Sequence, residues 1–191
     1  MRCLLCQNFS FTVICNSCQK LFLQPYQTIR VLHDGFKVYS FYRYGDIAVL
    51  LKTKHTHIGA AVYRILAKNA MQAFKERFDF DVAVDIIPVD DIPKSGYAHT
   101  AILANVLASK YLQPYYGSLR AQNDVSYSAK TLHYRQTNPR DFMYSGKRNE
   151  NVILVDDIIT TGTTINEAKN EILKCGAKPL FAVTLADARE L

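Results

Sequence analysis

The chain has 191 residues, which suits one domain with room for a small appendage. Its 49% hydrophobic content excludes a disordered chain, and it holds no apolar run of the roughly 18 residues that a bilayer span needs. The net charge of +6 points to an anionic partner.

Met1-Arg2-Cys3 lacks the charged and apolar regions of a signal peptide, so a cytoplasmic protein is expected. Four of the five cysteines then fall in the first eighteen residues, as Cys3-x-x-Cys6 and Cys15-x-x-Cys18. Paired C-x-x-C elements place four thiolates around one Zn²⁺. The residues between the pairs, Gln7 to Ile14, are enough for a hairpin. Thiolates prefer zinc to hard cations. Two disulfides are the competing reading, but nothing in the sequence points to export. Four protein ligands leave no open position, so such a zinc is structural, and its binding supplies the folding energy of a segment too short for its own core. The expected zinc-binding module covers residues 1–25, and residues 26–191 form the main domain.

Thr28–Leu32 and Phe36–Tyr44 are rich in β-branched and aromatic residues and read as two strands about a His33-Asp34-Gly35 turn. Asp46 is a candidate N-cap for a helix through Leu50, Leu51 and Lys52. From His57 to Phe78, the residues Val62, Ile65, Leu66, Ala70, Ala73, Phe74 and Phe78 fall at helical spacing. Val82–Ile87 is a strand ended by Pro88, and Ala98–Tyr111 the next helix. Residues 112–150 hold a short strand and a long polar connection. A connection of that length is usually functional or disordered, and its place here suits a flap over a ligand. A strand and a helix follow. Cys175, just before Gly176, reads as a small buried residue at the end of that helix, without chemistry. Leu180–Ala186 closes the sheet. Alternating strands and helices predict an α/β fold with a mostly parallel sheet flanked by helices.

The most informative stretch is Val152-Ile153-Leu154-Val155-Asp156-Asp157-Ile158-Ile159-Thr160-Thr161-Gly162-Thr163-Thr164. Four apolar residues make a buried parallel strand. Two carboxylates follow at its carboxyl end, where ligands sit in open α/β sheets. Asp156 and Asp157 are suited to accept hydrogen bonds from vicinal ribose hydroxyls and form the candidate catalytic pair. Thr160, Thr161, Gly162, Thr163 and Thr164 can wrap an anion with backbone N–H groups at a helix N-terminus. Thr164-x-x-Glu167 is a capping-box pattern. A Walker B strand would also end in carboxylates, but the sequence holds no G-x-x-x-x-G-K-[ST] partner loop. The stretch resembles the phosphoribosyl pyrophosphate (PRPP) signature of type I phosphoribosyltransferases.

Between Lys110 and Arg148 lie Lys110, Arg120, Lys130, Arg135, Arg140, Lys147 and Arg148, against only Asp124 and Asp141. Tyr111, Tyr115, Tyr116, Tyr127, Tyr134, Phe142 and Tyr144 are interleaved with them. Cations among aromatics suit single-stranded nucleic acid, whose phosphates meet the charges while bases stack on rings. A solvated loop over buried aromatics is the equal alternative.

The cysteine pairs, the PRPP-like stretch, and Tyr42-Arg43-Tyr44-Gly45-Asp46 with Leu50-Leu51-Lys52 between them resemble the ComF family of competence proteins, also called GntX-like or amidophosphoribosyltransferase-like. Ile87-Pro88-Val89 and Arg135-x-x-Asn138-x-x-x-Phe142 match further family elements. The family's Pro-Val-Pro is Pro88-Val89-Asp90 here, and its Arg-Gly-Phe-Asn-Gln is Ser95-Gly96-Tyr97-Ala98-His99. The resemblance implies a type I phosphoribosyltransferase fold. It implies a PRPP site at Val155, Asp156, Asp157, Thr160–Thr164 and Val89, with Lys94 in place of the missing Arg and Mg²⁺ at the pyrophosphate. It also implies handling of incoming single-stranded DNA during natural transformation, a DNA-helicase partner of the competence machinery, and a place at the inner face of the cytoplasmic membrane. An active phosphoribosyltransferase and a PRPP sensor without turnover are the alternatives. His55, His57, His99 and His133 read as loop or helix-face residues.

Overall fold

The computed structural model describes residues 1–78, 81–89, 92–93, 96–123, 139–146 and 148–189. In chain order the elements begin with α1 (Asn16–Phe22), β1 (Thr28–Val31), β2 (Lys37–Arg43) and α2 (Tyr44–Leu51). A 3₁₀ turn (Lys52–His55) leads into α3 (Gly59–Lys75), β3 (Val84–Pro88), α4 (His99–Leu107) and β4 (Leu112–Pro114). Then come β5 (Leu119–Ala121), β6 (Phe142–Tyr144), β7 (Asn151–Ile159), α5 (Thr163–Lys174) and β8 (Lys178–Asp187). No helix among the described residues is long and apolar enough to cross a membrane.

The main sheet has the order β1-β2-β8-β7-β3-β4. β1 is antiparallel to β2, and every other neighbouring pair is parallel. Both faces are covered, which is why the inner strands read as continuous apolar runs. On one face α3 and α4 bury Val62, Leu66, Phe74 and Leu103 against Ile86, Ile153, Val155 and Val183. On the other, α5 and the β5–β6 hairpin bury Ile165, Ala168, Ile172, Leu119 and Phe142 against Val152 and Leu154. The fold is the mixed α/β, mostly parallel architecture that the alternating pattern predicts.

The cysteine-rich segment is built onto this core. Cys3, Ile14, Cys18 and Leu23 share one buried cluster with Phe41, Tyr42 and Leu66. The buried Tyr42 hydroxyl donates to the Leu66 carbonyl at 3.3 Å and lies 3.5 Å from that of Leu23. Asn69 donates from α3 to Gln19 on α1 at 3.4 Å.

Local signals misplace several element ends. Asp46 lies in the first turn of α2, whose N-cap is Arg43, so it is not the cap. α3 starts at Gly59 rather than His57, and a Cβ at Gly59 would stand 2.1 Å from the Thr53 carbonyl oxygen. α4 stops at Leu107, because Ser109 and Leu112 close a turn of their own before β4. The hairpin expected over Gln7–Ile14 is shifted: the antiparallel bridge joins Arg2 and Phe9, and the turn includes Cys6. Cys175 is exposed, since it caps α5 at its outer end, with Sγ 3.9 Å from Glu171 Oε1. The long connection supplies β4, β5 and β6, and residues 124–138 of it lie outside the described residues.

One charged group is fully buried at the amino end of the sheet. Asp85 on β3 accepts from Arg148 Nε at 2.9 Å, Asn149 N at 2.8 Å and Asn149 Nδ2 at 2.8 Å. Arg148 also lies over the Tyr115 ring, 4.8 Å from its centroid. Arg148→Ala leaves a buried carboxylate short of its cation. The expected loss is on the order of 2 kcal/mol, less than the about 3–5 of a fully buried pair because the guanidinium is half-exposed. Urea unfolding of the variant measures it.

Candidate functional site

The carboxylates of the signature sit where β7 loses a neighbour. Its pairing to β3 stops at Pro88↔Val155, while its pairing to β8 runs on to Ile159↔Asp187. The strand therefore does not end at Asp156, as the apolar run alone implies. It carries both carboxylates past the end of β3. Successive strand residues face opposite sides. Asp157 is buried on the α3–α4 side, and Asp156 is half-buried.

Asp157 is densely held. Its Oδ2 lies 3.3 Å from Lys54 Nζ, 3.2 Å from the Tyr63 hydroxyl and 3.5 Å from His99 Nε2. Burial alone would raise its pKa, but the charges of His99 and Lys54 and the hydrogen bonds from Lys54 and Tyr63 bring it below the usual value. Asp156 takes the opposite course. Burial and the neighbouring Asp157 charge push it up to about 8, against the hydrogen bond from Asp157 N at 2.8 Å and the positive charges of Arg140 and Lys54. Two adjacent carboxylates thus divide the work: Asp157 keeps the charge and Asp156 holds the proton.

The turn after β7 is pinned from behind. Arg30 on β1 is buried, donates to the Thr160 carbonyl and forks onto Asp187 at the end of β8. Gly162 has φ +84°, so the backbone favours glycine, and a Cβ there would also press on the Leu32 side chain at 2.9 Å. Gly162 is also the N-cap of α5 and donates no side-chain cap. The Thr161 and Thr163 hydroxyls lie 2.9 Å apart across the turn. The first-turn N–H groups of α5 have no acceptor within the helix and carry its positive dipole end. The turn therefore presents N–H donors and the positive end of a helix dipole at the tip of β7. The capping box does not form: Glu167 accepts from Arg140 N at 3.1 Å instead, which anchors the segment before β6 on α5.

Other predicted site residues are distributed differently. Val155 and Val89 are buried, and the Val89 N–H donates to the Val155 carbonyl at 2.9 Å. Lys94, Lys130, Arg135 and Lys147 lie outside the described residues. Of the basic series, Arg140 stands at the α5 side of the signature. Arg120 donates to the Gly117 carbonyl at 3.2 Å. Arg148, on Asp85, and Lys110, over the Tyr111 ring, belong to the amino end of the sheet. The structure does not gather Lys110 and Arg148 with Arg140. Sequence reasoning missed Lys54, Tyr63 and His99 as partners of Asp157. Lys54 and Tyr63 meet it across 103 and 94 residues, and no local pattern marks such pairs.

In the cysteine-rich segment the Sγ atoms of Cys3, Cys6, Cys15 and Cys18 lie within 4.8 Å of one another, and none is in a disulfide. Cys6 and Cys15 Sγ are 3.8 Å apart. Four sulfurs about 2.3 Å from one tetrahedral ion stand about 3.8 Å from each other, so the cluster fits zinc. Backbone N–H groups of Cys15 and Cys18 point at Cys3 Sγ (3.3 Å) and Cys15 Sγ (3.4 Å), a contact that favours thiolates.

The profile of the phosphoribosyl transferase domain matches residues 57–191, which include β3, β7, α5 and the signature turn. The chain belongs to the phosphoribosyl transferase domain family. The match begins after the cysteine-rich segment, β1, β2 and α2. No curated protein matches the chain. Among solved structures, the orotate phosphoribosyltransferase of Aeropyrum pernix is similar at 21% identity over 90% of this chain and 80% of that one, with a TM-score of 0.40. The orotate phosphoribosyltransferase of Mycobacterium tuberculosis H37Rv is similar at 13% identity over 90% and 82%, with a TM-score of 0.43. Leishmania donovani UMP synthase is similar at 14% identity over 90% of this chain and 31% of that one, with a TM-score of 0.42.

For this phosphoribosyltransferase domain the Asp156 proton has a stability consequence. A carboxyl group whose folded pKa is raised contributes stability at acid pH that is lost as pH rises from its unfolded value through its folded one. The folded value is about 8, so Asp156 weakens the free protein progressively toward pH 8. Asp156→Asn is neutral at both ends of that range. Its melting temperature should exceed that of the wild type near pH 8, by a margin that shrinks as pH falls and vanishes only below about pH 4, where the group is protonated in both folded and unfolded states. Thermal unfolding followed at both values measures the difference.

Proposed function

We propose that the domain binds PRPP, or a closely related ribose 5-phosphate ester, at the β7–α5 turn. The observation that carries this reading is a turn of N–H donors at a helix N-terminus beside a carboxylate pair of divided charge, inside the matched domain. In this reading backbone N–H groups and hydroxyls of Thr160, Thr161, Gly162, Thr163 and Thr164 take the 5-phosphate. Asp156 and Asp157 serve the ribose hydroxyls, and Val89 and Lys94 flank the pyrophosphate. Lys54, His99 and Arg140 are largely engaged by the two carboxylates, so they leave little positive charge for a pyrophosphate. A hard cation such as Mg²⁺ would supply the missing charge neutralisation there, while the chain's own residues bind and orient. Positioning and charge stabilisation are also what a transfer to a base, amine or ammonia would require.

Calorimetry with PRPP and Mg²⁺ tests the site. Replacing both Asp156 and Asp157 by Ala removes a hydrogen bond to the charged Asp157, worth about 1.5–3 kcal/mol, together with whatever the Asp156 carboxyl contributes, so binding should fall at least tenfold. Unchanged affinity rejects the assignment.

The same reading gives residues 1–25 a structural zinc held by Cys3, Cys6, Cys15 and Cys18, and residues 26–191 the phosphoribosyltransferase-like domain. Elemental analysis should find one Zn²⁺ per chain. Chelation should lower the melting temperature of the whole domain, because Cys3 and Cys18 share the main core. Metal-free protein of undiminished stability speaks against it.

The finer reading is a ComF-type role: a cytoplasmic protein that handles incoming single-stranded DNA beside a helicase of the uptake machinery. What supports it is the resemblance over the cysteine pairs, residues 42–52 and the signature, together with the net charge of +6. Retention of an oligonucleotide should then fall with salt at a log–log slope of about −0.7 per neutralised phosphate. Replacing Lys130, Arg135, Arg140 and Lys147 by Ala should flatten that slope. Arg148 is left out of the variant because it holds Asp85. An equal slope in wild type and variant removes residues 110–148 from the DNA reading.

A further inference from the structure

We propose that Lys54, Tyr63 and His99, with Tyr97 behind them, are positioning residues of the ribose site: together they fix the charge and orientation of Asp157. This deepens the PRPP reading and rests on it for the identity of the ligand. The geometry stands by itself.

The donors come from separate parts of the chain: Lys54 from the 3₁₀ turn, Tyr63 from α3 and His99 from the first residue of α4. All converge on Asp157 Oδ2, at 3.3, 3.2 and 3.5 Å. One carboxylate oxygen surrounded in this way cannot rotate without breaking several contacts at once, in a place where water does not replace them. Tyr63 is fully buried, and its ring meets the His99 ring edge-on at a centroid distance of 5.5 Å. Each ring therefore limits the rotamers of the other.

Tyr97 locks the remaining donor. Its hydroxyl donates to the Lys54 carbonyl at 2.6 Å and lies 3.4 Å from that of Thr53. It can do so because Gly59 has no side chain: a Cβ there would stand 2.0 Å from the Tyr97 oxygen. Gly59, Tyr97 and the 3₁₀ turn thus form one close-packed joint, and the Lys54 side chain leaves it toward Asp157. Residues 97–99 reach the site twice, through the hydroxyl of Tyr97 and the ring of His99.

The arrangement gives the carboxylate pair its asymmetry. With Asp157 fixed as the anion, Asp156 is the member whose proton and orientation are free to change when hydroxyls arrive. The other charged group acting on the pair is Arg140, before β6, and it acts on Asp156. His99 is the one titratable donor of the set near neutral pH.

The test compares His99→Ala, His99→Gln, Lys54→Met and Tyr97→Phe with wild type in calorimetric titrations of PRPP with Mg²⁺, from about pH 6 to about pH 8. His99→Ala and Lys54→Met should each weaken binding by about tenfold. His99→Gln keeps a neutral donor of similar reach, so it should restore binding to within about threefold of wild type and leave only the pH dependence that Asp156 and the ligand contribute. Tyr97→Phe should weaken binding in the same direction as Lys54→Met. Wild-type affinity and pH profile in His99→Ala and Lys54→Met overturn the proposal. If the wild type itself takes up no PRPP, the ligand reading fails and the positioning claim is decided on the free protein. There His99→Ala should lower the melting temperature more in the wild-type background than in an Asp157→Asn background, where only the packing on Tyr63 is lost. Equal losses in both backgrounds overturn the claim.

Discussion

β7 keeps its pairing to β8 as far as Ile159, while β3 leaves it at Val155. That one-sided extension is the constraint from which the site follows. A strand paired on both sides would bury residues 156–159 between neighbours and leave no room for a ligand. A strand ending at Val155 would leave the carboxylates on a loose turn. One neighbour keeps the backbone regular, so alternation sends Asp157 toward α3 and α4 and leaves Asp156 half-exposed. Arg30 then secures the far end by joining β1, the end of β8 and the Thr160 carbonyl. Strand and turn are held by different partners, and both are held by the sheet.

The carboxylate pair is expensive in the free protein. Two adjacent acids under low solvent exposure cannot both ionise cheaply, and the protein resolves the conflict with several donors on one and a proton on the other. The cost is local, whereas Asp85 shows the opposite use of a buried acid. It is satisfied on all sides by Arg148 and Asn149 and ties the start of β3 to the segment before β7. At the amino end of the sheet a buried charge is fully paired and structural. At the carboxyl end a pair is left with one member unsettled, which is what a binding site needs.

The central strand, the cysteine cluster and the tight turn before α5 were legible in the sequence because each depends on residues close together in the chain. Val152–Val155 is continuous in apolar character, the C-x-x-C pairs set their own spacing, and Gly162 falls where a tight turn needs it. Element ends were less legible, because the deciding contacts are tertiary. Asp46 and Thr164 look like caps, yet Arg43 and Gly162 occupy those positions, and Glu167 turns to Arg140. The partners of Asp157 were not legible at all. No local pattern marks Tyr63, and His99 reads as a loop or helix-face residue. Arg148 carries a surface-like label in the sequence, and only the fold shows that it faces a buried carboxylate.

α3 is the element through which the two ends of the molecule meet. Its Leu66 packs in the cluster that holds Cys18, Ile14 and Leu23, and its backbone accepts from Tyr42 beside them. One turn earlier on the same helix, Tyr63 reaches Asp157. The contacts to the cysteine-rich segment and to Asp157 thus lie one helical turn apart on the same element. The segment stands outside the matched domain, yet it shares a core with the helix that orders the site. Its packing is therefore continuous with the core beneath Asp157.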